Sequence, residues 1–375
     1  MANTLDDLMP KILAGALETL RGTTMGPQLV NSDYSDEARE KGNEIEVPTP
    51  SAVSVIDVVP APTAPSPDDR NESTVKVPLN YWREAPFYLT NKDIAEVMDG
   101  TVPMIMGEAV KSLAEDINKT IYLEAYKGTY NFVGTPGTTP FASSDAEARD
   151  ARKLLNNARC LNRDRMLVLD TDADANAGGL DIFQRADASG TAETLETGRI
   201  GMKRNFSWYY DQDMPFHTAG TGTGYLVNQA NVAIGDTTVI VDTGTGTILE
   251  GDIFTVAGDS QTYVVKSFAS NVVTFAPAAK TAFADNAAIT IKGDHAINLA
   301  FQRNAIALAM RPPSNAMLQQ LERELSLRTL TMTDPISGIP LKLTVRGEYE
   351  RIRWGVSALW GTKPVREECI VRVAG

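Results

Sequence analysis

The chain has 375 residues, is 43% hydrophobic and 22% charged, and carries a formal net charge of -13, with a pI of about 4.8. That length exceeds what one hydrophobic core usually fills, so more than one domain is expected. An acidic surface repels phosphate, which argues against wrapping nucleic acid but leaves room for a local basic patch. The two cysteines, Cys160 and Cys369, stand far apart with no CxxC spacing. The spacing suggests neither a disulfide framework nor a zinc site, and it fits assembly in a reducing cytoplasm. Residues 1–7 lack the basic and apolar pattern of a signal peptide. No apolar run approaches the roughly 18–20 residues of a membrane span.

In chain order, residues 4–21 read as an amphipathic helix, with Leu5, Leu8, Ile12, Leu13, Ala16, Leu17 and Leu20 at helical spacing. Residues 22–44 read as an arm with little core of its own. Between 45 and 80, prolines 48, 50, 60, 62, 65, 67 and 78 punctuate alternating stretches such as 53–59. Proline disfavours central-strand pairing and favours extended chain, so this segment predicts two strands of a protruding hairpin with a polar tip at 67–73, or a disordered linker. A long helix is predicted over 101–127, with Val110, Leu113, Ile117 and Ile121 as its apolar stripe. A second helix is predicted over 144–158, where Ser144 and Glu147 suit a capping box. A strand follows at 166–169.

Composition shifts near residue 220. From there to about 294 the chain is rich in Val, Ile, Thr, Gly and Asp, with strand candidates at 237–242, 252–256, 262–268, 272–275 and 288–292. Short strands at this spacing predict a small β-barrel or sandwich, placed as an insertion because mixed character returns afterwards. A helix near 314–322 and a strand pair, 325–333 with 341–349, complete the chain.

Little of this carries chemistry. His217 and His295 are the only histidines, no GxSxG elbow surrounds a serine, and both histidines are expected to be structural or surface groups. Gly220-Thr-Gly-Thr-Gly224 resembles a phosphate loop, but no Lys-Ser/Thr follows and strands come next, so it reads as a flexible hinge. Asp170-Thr-Asp-Ala-Asp-Ala-Asn176 has alternate carboxylates like a calcium loop, but Ala175 and Asp181 stand where glycine and glutamate are needed. A solvated turn is expected there. Asp68, Asp69, Glu367 and Glu368 read as solvated charges. Phe206-Ser-Trp-Tyr-Tyr210 reads as a strand burying alternate aromatics rather than a base-stacking platform.

Several segments together resemble the major capsid proteins of tailed double-stranded DNA phages with the Hong Kong 97-like fold. More narrowly, they resemble the coat proteins of short-tailed Salmonella phages, which carry an inserted β-domain. The residues concerned are Met1–Ala14, Asp33–Ala38 with Lys41–Pro48, Val75–Leu79 with Phe87–Asp93, Gly198–Phe206 with Met214–Thr218, Asn298–Ala305 with Arg311-Pro312, Gly347-Glu-Tyr349, and Trp360–Cys369.

The resemblance implies an α+β chain with an N-terminal arm (1–44), an extended loop (45–92), a spine helix with part of the peripheral domain (93–180), and a first axial segment (181–219). There follow the inserted β-domain (220–294), a second axial segment (295–324) and the peripheral C-terminal strands (325–375). It implies an icosahedral shell of pentamers and hexamers around phage DNA, assembled in the host bacterial cytoplasm. The partners implied are a scaffolding protein, a portal and a decoration protein, with weak DNA contact and no membrane. No catalytic, cofactor-binding or metal residue is assigned, and no cofactor or enzyme activity is expected. The rivals are a β-domain decoration or adhesion protein of the virion surface, and a hydrolase using His217 with an aspartate.

Overall fold

The computed structural model describes residues 20, 24–33, 44–49, 55, 58, 60, 73–90, 101–185, 190, 193–228, 232–313, 328–334 and 338–375. The expected helices at 4–21 and 314–322 and the hairpin tip at 67–73 lie outside the described residues, apart from Leu20 and, at the tip's end, Ser73.

In chain order come α1 (Gly26–Leu29), β1 (Glu44–Thr49), β2 (Ser73–Pro78), β3 (Tyr81–Thr90), α2 (Thr101–Gly128), β4 (Asn131–Gly134), α3 (Ala146–Asn157), β5 (Arg165–Leu169), α4 (Thr171–Gly178), α5 (Asp181–Gln184) and α6 (Glu193–Thr197). They are followed by β6 (Met202–Lys203), β7 (Phe206–Tyr210), β8 (Phe216–His217), β9 (Leu226–Val227), β10 (Thr238–Asp242), β11 (Ile253–Val256), β12 (Tyr263–Ala269), β13 (Val272–Ala276) and β14 (Ile289–Ile291). The chain closes with β15 (His295–Gln302), β16 (Ile306–Arg311), β17 (Arg328–Thr333), β18 (Pro340–Glu348), β19 (Arg351–Pro364) and β20 (Ile370–Ala374).

These strands form four sheets. The hairpin β1–β2 pairs antiparallel, with Ile45 opposite Val77 and Val47 opposite Val75. A seven-stranded mixed sheet runs β4-β20-β15-β5-β7-β6, with β8 alongside β15. A five-stranded sheet runs β16-β19-β18-β17, with β3 pairing β19. The six-stranded sheet β14-β11-β12-β13-β10-β9 draws every strand from residues 226–291.

The long helix forms because its apolar residues recur every three or four positions. Val110, Ile117 and Ile121 are fully buried and Leu113 nearly so, on a core that includes Leu89, Trp354 and Trp360 beneath the helix. Along β7 the predicted alternation holds as far as Tyr209: Phe206 and Trp208 are buried with partly exposed Ser207 and Tyr209 on the other face, whereas Tyr210, on the same face as Phe206 and Trp208, is exposed at the strand end. All five strand candidates between 237 and 292 are strands, around a core of their own that includes Val239, Val241, Phe254, Tyr263, Phe275 and Phe283.

Three local expectations are corrected. The carboxylate-rich 170–176 segment is helical: Asp170 caps α4 by accepting from the Ala173 N–H at 2.8 Å, and Asp172 and Asp174 lie in the first turn, favoured by the helix dipole. For α3 the capping position is Asp145, whose side chain makes no cap hydrogen bond, so the Ser144–Glu147 box does not form. Ser144 only accepts weakly from the Ala146 N–H, at 3.4 Å. Finally, Cys160 and Cys369 are disulfide-bonded with Cα atoms 5.7 Å apart. Spacing alone hid this, because packing of α3 against β20 brings together residues 209 positions apart.

The return strand β3 is fixed more firmly than the hairpin before it. Tyr81 stacks on Trp360 and Phe87 on Trp354. The Tyr81 hydroxyl donates to Glu124 at 2.7 Å, Arg353 pairs with Glu84 at 2.7 Å, and Arg83 pairs with Asp116. At Gly361 the β19 backbone passes so near the Pro78 carbonyl that an added methyl would collide with it. Because the obstacle is backbone, Gly361→Ala is expected to lower stability by about 1–3 kcal/mol, read as a lower urea midpoint at unchanged slope.

Candidate functional site

Two features of the described structure stand apart from ordinary core: a buried polar joint containing both histidines, and the β1–β2 pair, between whose strands in sequence lie two apolar side chains in solvent.

The joint forms where the chain leaves for the six-stranded sheet and comes back. His217 on β8 and His295 on β15 are directly opposed across an antiparallel pair, with ring centroids 5.1 Å apart. His217 Nε2 lies 3.0 Å from Asp252 Oδ1, so a proton on Nε2 donates to the carboxylate. Asp252 immediately precedes β11, and its carboxylate also accepts from the Leu249 N–H at 2.8 Å and the Gly220 N–H at 3.1 Å. His295 Nδ1 donates to the Gly293 carbonyl at 2.7 Å, which leaves its Nε2 lone pair facing Arg372 Nη1 at 3.5 Å.

Arg372, fully buried in β20, closes the cluster. It donates to the Gly251 carbonyl at 3.0 Å and to the Tyr126 carbonyl at the end of α2. Its guanidinium carbon stands 4.9 Å from the Tyr126 ring centroid. Burial pulls its pKa down to about 9, opposed by Tyr126 and Asp252, so it stays charged at neutral pH. Burial pushes the His295 imidazole down to about 4, against the Gly293 hydrogen bond and with help from Arg372 and His217.

The pairing of His217 with Asp252 is what a hydrolase reading would require, yet the two side chains are only 4% and 0% exposed. A substrate cannot reach them without opening the joint. Both histidines are therefore packed structural groups. Sequence reasoning singled out the histidines but not Asp252 or Arg372. The signal for Arg372 was available as a lone cation inside the apolar run Ile370-Val-Arg-Val-Ala374.

The glycine-rich 220–224 segment is not free to hinge. Thr223 pairs with Thr245 as an antiparallel bridge, and a Cβ at Gly220 would collide with the Thr247 carbonyl. Glu367 is half-buried in an ion pair with Lys266 at 2.7 Å and Glu368 pairs with Arg366 at 3.0 Å, so neither is a bare solvated charge. Among the described residues, no group of three or more His, Cys, Asp or Glu is placed to hold a metal ion. Likewise, no helix among them is long and apolar enough to cross a membrane.

The arm begins at β1–β2. Ile45, Val47, Val77 and Leu79 pack on Ala307 and Ala309 in a small separate cluster, while Glu44, Glu46 and Lys76 form exposed ion pairs on the other face. Between these strands in sequence, Val55 and Val58 are 98% and 94% exposed.

Two outcomes follow from the joint. Arg372→Met is expected to cost roughly 3–5 kcal/mol, because it strands buried acceptors and Asp252 without their cation, and denaturant unfolding measures it. For His295, the unfolded chain takes up a proton near pH 6.5 and the folded chain refuses it until about pH 4. Stability is therefore complete above pH 6.5 and falls as pH drops through that window, by roughly 3 kcal/mol in all. Comparison with His295→Asn at pH 7.5 and 4.5 isolates this slope from that of the carboxylates.

No family model matches the chain, and no curated protein matches it in sequence. Solved structures do match. A chain from Mycobacterium phage Che8 aligns over 94% of this chain and 91% of its own length, with a TM-score of 0.54 and 15% identity. A chain from the capsid structure of the Cyanophage P-SCSP1u covers 89% of this chain and 84% of its own, at TM-score 0.49 and 10% identity. One from the mature capsid of bacteriophage PhiM1 covers 89% and 82%, at TM-score 0.49 and 9% identity. The overall mixed α/β fold is thus shared with the Che8 chain, and at 15% identity the likeness is one of fold.

Proposed function

We propose that this chain is the major capsid protein of a tailed double-stranded DNA bacteriophage, a shell subunit of Hong Kong 97-like fold and not an enzyme. The observation that carries the reading is the fold shared with a phage chain along 94% of the sequence. The extended arm adds to it. Val55 and Val58, between β1 and β2 in sequence, stand almost fully in water, and such side chains add stability only when another surface covers them.

On this reading α2 is the spine helix, and β1–β2 with β3 is the extended loop that lies over a neighbouring subunit. Residues 220–294 are an inserted β-domain. What supports the insertion is that β9–β14 have their own sheet and core, while the segments that lead out and back are neighbours through His217 and His295. The subunits form pentamers and hexamers of an icosahedral shell in the virion, assembled in the bacterial cytoplasm. A scaffolding protein and a portal are the expected partners, with a decoration protein as a further one. A formal charge of -13 suits a container whose wall must release phosphate backbone rather than bind it.

Expression with and without the neighbouring phage genes, followed by sedimentation and negative-stain microscopy, tests the assignment. Closed shells or curved capsomer sheets are expected. A strictly monomeric chain under every condition would turn attention to a decoration or adhesion role. Deleting residues 52–72, or the milder pair Val55→Asp and Val58→Asp, is expected to leave the subunit's melting temperature unchanged and abolish closed shells. Normal shells from both variants would remove the arm from the assembly contact.

A further inference from the structure

We propose that Cys160 and Cys369 are a preformed thiol pair that closes after folding, as a covalent lock on strand β20. The inference rests on the shell reading only for its timing, with closure following assembly.

The two cysteines sit in turns that are each built without the sulfur–sulfur bond. On one side Arg165, 2% exposed, donates to Asn156 Oδ1, the Cys160 carbonyl and the Leu161 carbonyl, each at 2.8 Å. This fixes the turn between α3 and β5. On the other side Asn131 Nδ2 donates to the Glu368 and Ile370 carbonyls, each at 3.1 Å, which fixes the short turn that carries Cys369 into β20. The resulting Cα separation of 5.7 Å falls within the range a disulfide spans without moving backbone. The chain has no third cysteine, so no wrong intrachain pairing competes. A chain folded in a reducing compartment would thus hold both thiols in place, ready for an oxidant.

The position of the bond gives it a purpose. β20 is sandwiched between β15 and β4, and it carries the buried Arg372. The lock ties the start of this strand to the turn after α3 across a 209-residue separation. Closing so long a loop removes more unfolded-state freedom than closing a short one.

The oxidant class is a low-molecular-weight disulfide such as glutathione disulfide. The Cys160 thiolate, the less buried of the two at 6% against 1%, attacks one glutathione sulfur and expels the other as a thiolate. The Cys369 thiolate then attacks the Cys160 sulfur of the mixed disulfide and expels the second glutathione thiolate. The two protons released by the cysteines pass to the two glutathione thiolates, so two thiols are oxidised and one disulfide reduced.

The test uses the full-length chain made in a bacterial cytoplasm, alkylated at harvest to count free thiols, then treated with glutathione disulfide as soluble subunit and as sedimented particles. Free thiols at harvest, complete closure on treatment, and a rise in melting temperature of about 5–10 °C that is absent from Cys160→Ala/Cys369→Ala are expected. Cys369→Ala is expected to trap glutathione on Cys160, whereas Cys160→Ala leaves Cys369 unmodified. Thiols that stay free after treatment, or closure with no change in melting temperature, would overturn the lock while leaving particle formation, and so the shell reading, intact. A bond already closed at harvest would overturn the timing. Closure with the expected stabilisation in a chain that never forms particles would sustain the lock and remove the shell reading.

Discussion

A guanidinium taken out of water must be met on nearly every side, and Arg372 imposes that demand on the centre of this fold. Its strand is buried along its whole length, so the cation cannot reach solvent. Tyr126 lies in the last turn of α2, where the helix dipole is negative, and its carbonyl accepts from Arg372 in addition to the Thr129 N–H at 3.0 Å. Gly251 lies in the turn before β11. To serve Arg372 both must arrive at one point, so the helix end, the edge of the six-stranded sheet and the last strand are fixed relative to one another. Its Nε remains buried with no acceptor among the described residues, a cost that the ring of Tyr126 partly offsets.

The same joint explains why the six-stranded sheet is docked rather than tethered. Thr262 donates to the Tyr130 carbonyl at 2.8 Å, and Lys266 reaches both Glu367 and the Gly128 carbonyl. With Asp252 and Gly251, these contacts place β12, and the turn between β10 and β11, against the end of α2 and the residues just after it. A glycine-rich entry would normally read as slack. Here the glycines serve close approach, because a side chain at Gly220 has no space beside the Thr247 carbonyl.

What the sequence disclosed follows the range of the interactions involved. The α2 stripe, the alternation in β7 and the five strands between 237 and 292 are set by neighbours a few residues away, and periodicity reports them directly. Helix α4 was missed because alternate aspartates look like a ligand loop, whereas in place they cap and charge a helix N-terminus. The disulfide and the joint were missed for a different reason. The disulfide joins residues 209 positions apart, and the joint gathers residues separated by 35 to 246 positions. Nothing in the spacing of Cys160 and Cys369, or of His217, Asp252 and Arg372, encodes that they meet. The apolar setting of Arg372 signalled burial but could not name its partners.

The anchoring of the arm also decides which part of the chain can change angle at least cost. β3 is tied to β19 along ten residue pairs and to α2 by Tyr81–Glu124 and Arg83–Asp116. Shifting it would break desolvated aromatic stacks and ion pairs together. The hairpin β1–β2 buries Ile45, Val47 and Val77 against Ala307 and Ala309, with Leu359 and Val365 beside them, in a cluster separate from the main core. Its outer ion pairs are exposed and contribute little. The tight passage of Gly361 under the Pro78 carbonyl separates the two regimes. On the β3 side of that point the backbone is held as firmly as the core. On the hairpin side, a change of direction uncovers only that separate cluster and leaves the main core intact.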